Sequence, residues 1–304
     1  MKHGDKKVSR WLNETVALGE KVMGHSSCAI CCMVRDCRKP FERNLKFINR
    51  LRACFAESYL IIIENDSIDG TKELVKSLEG DDQNVFVDSF DTGSITLPKK
   101  VASGVNPSFS RHRVQKMADY RNRYLKLLNE KIGIDNVDWV LMLDPDVHEI
   151  SLDGIKHSFG TEDKWDIVHA NGRMKYGFFT DAYYDAYAFA EWGDETVLTE
   201  KKIVLNRAKL KSVSIGMPLL PVRSGFNALA IYRSKALKGT MYTCESNDDE
   251  RVEVLCEHIS FHDAIRRTGY TRQFLNPNMI IHYNTRCWSL FVWFKGTLSR
   301  LLRK

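Results

Sequence analysis

The stretch Trp139-Val140-Leu141-Met142-Leu143 is an unbroken apolar run with no polar alternation. A strand without a polar face is buried on both sides, as in parallel sheets covered by helices on each face. The run breaks sharply into Asp144-Pro145-Asp146. Residues two apart on extended chain point the same way, so these carboxylates can converge on one hard cation. Proline between them disfavours helix at Asp144 and stiffens the turn. Open α/β sheets bind ligands beyond the carboxyl ends of their strands. The expectation is a divalent-metal site that holds a diphosphate. The alternative is a polar strand end leading into a turn.

Two earlier runs, Cys28 to Val34 and Tyr59 to Ile63, have the same apolar character. Helical spacing covers residues 6–24, 40–56 (Phe41, Leu45, Ile48, Leu51, Phe55), 71–79 and 111–131. In the last of these, Val114, Met117, Tyr120, Tyr124 and Leu127 or Leu128 fall near one face. Val85 to Val87 is a short strand candidate, and residues 91–110, rich in Gly, Ser, Pro and Thr, read as a long loop. Loops of that length in compact domains are usually functional or mobile. Strand and helix alternating at this spacing predict parallel pairing in a doubly wound α/β sheet. Beyond residue 165 the pattern is mixed, with strand candidates at Asp166–Ala170, Tyr183–Phe189 and Gly225–Tyr232. No linker demands a second domain. The expected organisation is an N-terminal helix over 1–25, one domain over 26–285, and a basic aromatic helix over 286–304.

At 304 residues, 43% hydrophobic and 28% charged, the chain has an ordinary globular composition. A net charge of +6 favours an anionic partner such as a nucleotide, a phosphate or an anionic lipid surface. Nucleic acid is disfavoured, because the basic residues are spread out rather than gathered with stacking aromatics. Cys28, Cys31, Cys32 and Cys37 lack the spacing of a disulfide framework and read as buried reduced thiols, which favours a cytoplasmic setting. The first 25 residues lack the apolar core of a signal peptide, and no run has the length of a membrane span. Near the end, Trp288 to Phe294 precedes Lys295, Arg300, Arg303 and Lys304. This segment suits peripheral contact with an anionic inner membrane face, or equally a terminal helix docked on the domain.

Ile62-Ile63-Glu64-Asn65-Asp66-Ser67-Ile68-Asp69-Gly70-Thr71 resembles the second-strand signature of glycosyltransferases with the A-type fold. Three further blocks follow in the family's order. Met117-Ala118-Asp119-Tyr120-Arg121-Asn122 is similar to its Ala-Arg-Asn helix, and Leu141 to Asp146 to its Asp-x-Asp metal motif. Ser224 to Arg233 resembles its late Gly-rich acceptor-side strand. With Tyr184-Asp185-Ala186-Tyr187, the set also resembles the fungal capsule-associated α-1,3-mannosyltransferase family, over about residues 28–285. The implied fold is a single Rossmann-like A-type domain, with a mostly parallel central sheet flanked by helices and a smaller mixed acceptor-side part.

The resemblance also implies a chemistry: a sugar moves from a nucleotide diphosphate to a saccharide or lipid-linked saccharide. Mn²⁺ or Mg²⁺ on Asp144 and Asp146 would neutralise the diphosphate. A late histidine, His262 or His282, is the expected further ligand; a structural histidine is the alternative for each. Arg35, Glu64, Asp66, Arg121 and Asp144 form the expected donor set. Glu64 and Asp66 would accept hydrogen bonds from ribose or base, and Arg121 would reach the diphosphate through its planar fork. Asp69 and Thr71 also suit a simple turn and helix start. Arg111 and Arg113 border the long loop and could clamp phosphate. Glu257 is the expected acceptor base if the reaction inverts configuration. If it retains configuration, as the mannosyltransferase resemblance implies, Glu257 orients the acceptor and Asp185 lines the sugar site. Tyr183, Tyr184, Tyr187 and Phe189 stack on sugar or pack in a strand. Two rivals remain: a non-catalytic nucleotide-sugar or glycan-binding module, and a nucleotidyltransferase. The second would carry a glycine-rich loop after the first strand, and Arg35 to Pro40 contains no glycine.

Overall fold

The computed structural model describes residues 3–284 except 96, 99, 100 and 177–179; the helix expected at 286–304 lies outside the described residues. The chain runs α1 (His3–Gly24), β1 (Ser27–Val34), α2 (Arg38–Arg52), β2 (Glu57–Asn65), α3 (Thr71–Asp81), β3 (Val85–Phe90), α4 (Arg111–Lys131) and β4 (Trp139–Leu143). It continues with β5 (Glu149–Ile150), α5 (Leu152–Phe159), β6 (Ile167–Tyr176), β7 (Thr180–Tyr183), β8 (Ala190–Glu191) and α6 (Glu200–Lys209). The last elements are β9 (Leu220–Ser224), β10 (Leu229–Arg233), α7 (Glu257–Arg267) and β11 (Gln273–His282). Short 3-10 turns separate several of them. No helix among the described residues is long and apolar enough to cross a membrane.

One mixed sheet carries the fold, in the order β3-β2-β1-β4-β10-β6-β11-β9-β8. The α/β class and single central sheet expected from the alternation are both present. β3, β2, β1 and β4 pair in parallel. β10 then runs antiparallel between β4 and β6, β11 is parallel to β6, and β9 is reversed again. Along this path only β10 and β9 oppose the common direction. β1 has β2 on one side and β4 on the other, so the winding reverses at β1. A crevice opens beyond the strand ends at such a switch point.

Alternation along the strands divides the core between two faces. Ala29, Cys31, Ile61, Ile63, Val140 and Met142 pack with Val114, Ala118, Tyr124 and Leu128 of α4 and Ile259, Phe261 and Ile265 of α7. Cys28, Ile30, Cys32, Leu60, Ile62, Leu141 and Leu143 pack with Phe41, Ile48 and Leu51 of α2 and Ile155 and Phe159 of α5. The β1 thiols are free and buried, as the sequence led us to expect. Burial pushes the thiols of Cys28, Cys31 and Cys32 well up, so they stay protonated and behave as small apolar groups.

Two strand expectations change. The candidate Tyr183–Phe189 is a strand only to Tyr183; the chain then turns through Tyr184-Asp185 before the short β8. The Gly225–Tyr232 strand starts only at Leu229. Asn227 and Ala228 adopt left-handed backbone conformations (φ 58° and 67°) that break the extended run. The second departure puts the Ala228 carbonyl beside the end of β4, where it accepts from the Asp144 N–H.

Candidate active site

The Asp144-Pro145-Asp146 turn leaves the buried end of β4. Four hydrogen bonds fix it. The Asp144 N–H donates to the Ala228 carbonyl at 2.8 Å. Asn44 of α2 donates its amide to the carbonyls of Pro145 and Val147, both at 2.7 Å. Arg43 reaches the Val147 carbonyl at 2.6 Å. Neither α2 residue was singled out from sequence, since nothing local marks a helix side chain that braces a turn a hundred residues away. Both carboxylates act electrostatically on Tyr184 and Tyr283, whose rings stack at 4.1 Å and 14°. Asp146 lines a cleft of about 580 Å³ with Arg35, Asp36, Arg43, His148 and Tyr283. Asp144 lies deeper, with 26% of its side chain exposed.

Behind the turn is a buried charge cluster. Arg121 donates from Nε to Glu257 Oε1 at 3.1 Å and lies 4.0 Å from Asp144 Oδ1. Its guanidinium also sits over the Phe226 ring, 4.7 Å from the centroid. The buried stripe of α4 is Val114, Ala118, Arg121, Tyr124 and Leu128, rotated from the expected face so that the arginine points inward. Arg121 is therefore a buried counter-ion for two carboxylates rather than a free diphosphate fork. Glu257 is sealed too, at 3% exposure; its partners are Arg121, the Cys256 thiol at 3.5 Å and His258 at 3.8 Å. Expected as the acceptor base or as the group that orients the acceptor, Glu257 is buried against Arg121.

Asp185 is in a different position. It is half-buried, and its N–H donates to the Asn227 side chain at 3.3 Å. Burial, with help from Glu257, pushes its carboxyl up to about 6, against the opposing pull of Arg121 and Arg113. Asp144 is pushed up to about 7, by burial first; Arg121 opposes this, while Asp146, Asp185 and Glu257 add to it. The cluster thus holds more carboxylate than arginine, an environment that favours an added cation.

The Glu-Asn-Asp-Ser-x-Asp-Gly-Thr signature is a brace between loops. Glu64, expected on the ribose or base, is wholly buried. Its two oxygens accept from the Ser67 N–H at 2.9 Å and the Ser89 hydroxyl at 2.5 Å, so its oxygens are turned inward, away from the cleft. Asp69 accepts from Thr71 and from the Arg38 N–H, and Asp36 accepts from the Ile68 N–H. These bonds zip the β1–α2 and β2–α3 loops together. Gly70 makes the turn possible at φ 90°.

Asp66 accepts from the N–H groups of Thr92 and Gly93, both at 2.7 Å, and from Ser94. Burial pushes its carboxyl up, but hydrogen bonds from Asn65, Ser94, Thr92 and Gly93 outweigh this and hold it well below the usual range. Arg35 donates to the Ser94 carbonyl at 2.7 Å. Asp66 and Arg35 therefore tether the start of the long loop beside the cleft, and the Asp66 oxygens are already engaged. Replacing Asp66 by alanine should cost ~1–3 kcal/mol and speed protease cleavage within 91–110. Because the native carboxyl is depressed, its contribution is present above the unfolded value near pH 4 and is lost as pH falls. The stability gap between wild type and D66A, read by urea unfolding, should shrink towards acid. Equal gaps at pH 7 and pH 3 would contradict this account.

The histidines separate clearly. His262 is completely buried, bonded to the Ser224 hydroxyl at 2.8 Å and the Tyr232 hydroxyl at 2.9 Å. Burial holds it neutral, down to about 3. Both ring nitrogens are used by the core, so its expectation as a metal ligand is corrected. His282 lies half-buried on β11, its pKa lowered by burial, with Glu149 opposing and Lys175, His148 and Arg173 adding to the decrease. That mostly cationic neighbourhood is a poor place for a metal ion. His148 reaches the cleft instead; an Asp146-x-His148 spacing on extended chain was the available signal. Among the described residues, no third His, Cys, Asp or Glu gathers into a metal-holding group. Two carboxylates alone suit a hard ion such as Mg²⁺ or Mn²⁺, which takes its other ligands from phosphate and water. Of the two loop arginines, Arg113 acts on Asp185, whereas Arg111 is turned to Ser246, with its backbone N–H on Glu253.

The description "Cryptococcal mannosyltransferase 1" matches residues 41–270. The chain belongs to that family. It is a family of glycosyltransferases, and its matched span holds the Asp-Pro-Asp turn, Arg121, Asp185 and Glu257. A search of curated proteins returns no match. Among solved structures, S. aureus TarS 1-349 is 14% identical, covering 85% of this chain and 60% of its own, at a TM-score of 0.44. The mannosyltransferase PcManGT from Pyrobaculum calidifontis, in complex with GDP-Man and Mn²⁺, is 10% identical over 91% of this chain and 66% of its own, at 0.44. The M. tuberculosis glucosyl-3-phosphoglycerate synthase with UDP is 12% identical over 89% and 75%, also at 0.44. The chain spans about 60% of the length of the TarS fragment. With likenesses this distant, the family assignment rests on the match over 41–270.

Proposed function

We propose that this family member transfers a hexose from a nucleoside diphosphate to a hydroxyl of a saccharide or lipid-linked saccharide, in glycan or polysaccharide synthesis. The reading is carried by the two carboxylates at the end of β4: Asp146 lines a cleft at the switch point, and Asp144 lies behind it in an excess of acidic groups. Asp144 and Asp146 would hold Mn²⁺ or Mg²⁺ on the donor diphosphate. Such an ion supplies charge neutralisation to the departing nucleoside diphosphate. The acceptor oxygen bonds the anomeric carbon, the bond from that carbon to the diphosphate oxygen breaks, and its electron pair leaves with the diphosphate. Arg35, Arg43 and His148 line the same cleft and orient the anionic donor.

Asp185 is the carboxylate suited to receive the acceptor proton. It is reachable, and a pKa near 6 matches a base working at neutral pH. Glu257 instead positions Arg121. The experiment is a panel of nucleotide sugars with Mn²⁺, read by thermal stabilisation and by donor hydrolysis. If no nucleotide sugar raises the melting temperature with or without metal, the donor site is wrong. In the same assay, Asp185→Asn should lower kcat by roughly 10²–10⁴-fold and leave donor stabilisation intact. A base acts deprotonated, so wild-type kcat should rise with pH through about 6, and D185N should lack that limb. A D185N enzyme with wild-type kcat would remove Asp185 from the chemistry.

A further inference from the structure

We propose that α6 and the turn after it form a docking surface for an anionic bilayer, beside the acceptor side of the site. α6 buries Ile203 and Asn206 but leaves Val204 at 61% and Leu205 at 57% exposure, and Ile215 follows at 61%. Between Glu200 and Ser212 the chain carries Lys201, Lys202, Arg207, Lys209 and Lys211 against a single acid. That acid, Glu200, is taken by Asn106 and Arg251. Lys202 pairs with Asp194 and Lys209 with Glu191. Lys201, Arg207 and Lys211 make no ion pair among the described residues. Aliphatic side chains held in water next to unpaired cations are the chemistry of a helix that settles into an anionic headgroup layer.

The surface also has depth. A hollow of about 540 Å³ opens beside α6, lined by Phe109, Lys201, Ile203, Val204, Leu205 and Arg207 among others. Arg207 lines this hollow beside Lys201, so two cations that make no ion pair among the described residues border it. Phe109 packs its other side against Tyr187 at 4.6 Å, and Tyr187 lies two residues beyond Asp185. One aromatic wall therefore separates the hollow from the Asp185 loop. A saccharide anchored in a docked bilayer would meet the site from this side. This delivery role rests on the transferase reading; the bilayer contact itself does not.

The test is co-sedimentation of the full chain with phosphatidylcholine vesicles, with and without phosphatidylglycerol. The wild type should sediment with the anionic vesicles only. Val204→Glu with Leu205→Glu, both exposed and so compatible with folding, should weaken that binding at least roughly tenfold. Lys201→Glu with Lys211→Glu should weaken it several-fold. Donor-induced thermal stabilisation should be unchanged in both variants. Wild-type protein that ignores anionic vesicles overturns the proposal. So does equal vesicle binding by V204E/L205E, which would place the contact elsewhere in the chain. A change in oligomeric state by light scattering, with vesicle binding unaltered, would assign the surface to a second copy and also overturn it. Loss of donor stabilisation in the wild type would sink the transferase reading while the vesicle result stands on its own.

Discussion

Asp144→Asn should lower transfer by roughly 10³-fold or more, since it removes half of the carboxylate pair proposed to hold the cation. The same substitution should make the metal-free protein more stable at pH 8, by a few degrees in melting temperature. Asp144 is pushed up to about 7 by burial and by Asp146, Asp185 and Glu257, against Arg121. Such a group costs stability as pH rises from its unfolded value near 4 through its folded value, because the native state resists losing the proton. Asparagine carries no charge and escapes that cost. The stability difference should therefore grow between pH 4 and pH 8 and vanish in acid. Mn²⁺ should stabilise the wild type and not D144N. A stable, fully active D144N, or one that still gains melting temperature from Mn²⁺, would show that this strand end holds no ion.

Arg121→Met tests the second half of the arrangement. Removing the guanidinium leaves Glu257 buried without its counter-charge, and Asp144 with only like charges around it. Stranding a buried charge costs ~3–5 kcal/mol, and urea unfolding at neutral pH is the measurement. The double variant R121M/E257Q should recover a large part of the loss, because no charge is then stranded at Glu257. Arg121→Lys should not rescue, since an ammonium cannot lie over Phe226 while reaching both carboxylates. An R121M protein as stable as wild type would mean that Arg121 is not the keystone of the cluster.

The proposed roles of Asp185 and Glu257 depend on the difference in burial between them. The sequence offers two acidic residues of similar standing, one between tyrosines and one before a histidine. Only their surroundings separate them: Glu257 is buried against a guanidinium, and Asp185 is half-buried with its N–H on the Asn227 side chain.

Local chemistry made the first half of the fold readable. The apolar runs of β1, β2 and β4, and the helical spacing of α2 and α4, are patterns of burial written in consecutive residues. The Asp-Pro-Asp turn was legible for the same reason, because strand geometry fixes where neighbouring side chains point. Partner choice was not readable. Arg121 meets Glu257 across 136 residues of sequence, and Asn44 meets Pro145 across 101. A polar residue on a periodic stripe looks exposed until the element it faces is known. Glu64 and His262 show the same lesson in reverse: residue type suggested ligands, but core partners had already taken their hydrogen-bonding atoms.

By itself the sequence determined that parallel strands are buried on both faces, that the winding is α/β, and that two acids stand at the end of the central strand, because each follows from side chains a few positions apart. Tertiary structure alone decided which acid is shielded by arginine, which histidine is locked in the core and that the reversed strand β10 lies beside β4. Those outcomes depend on burial and charge summed over elements far apart in the chain.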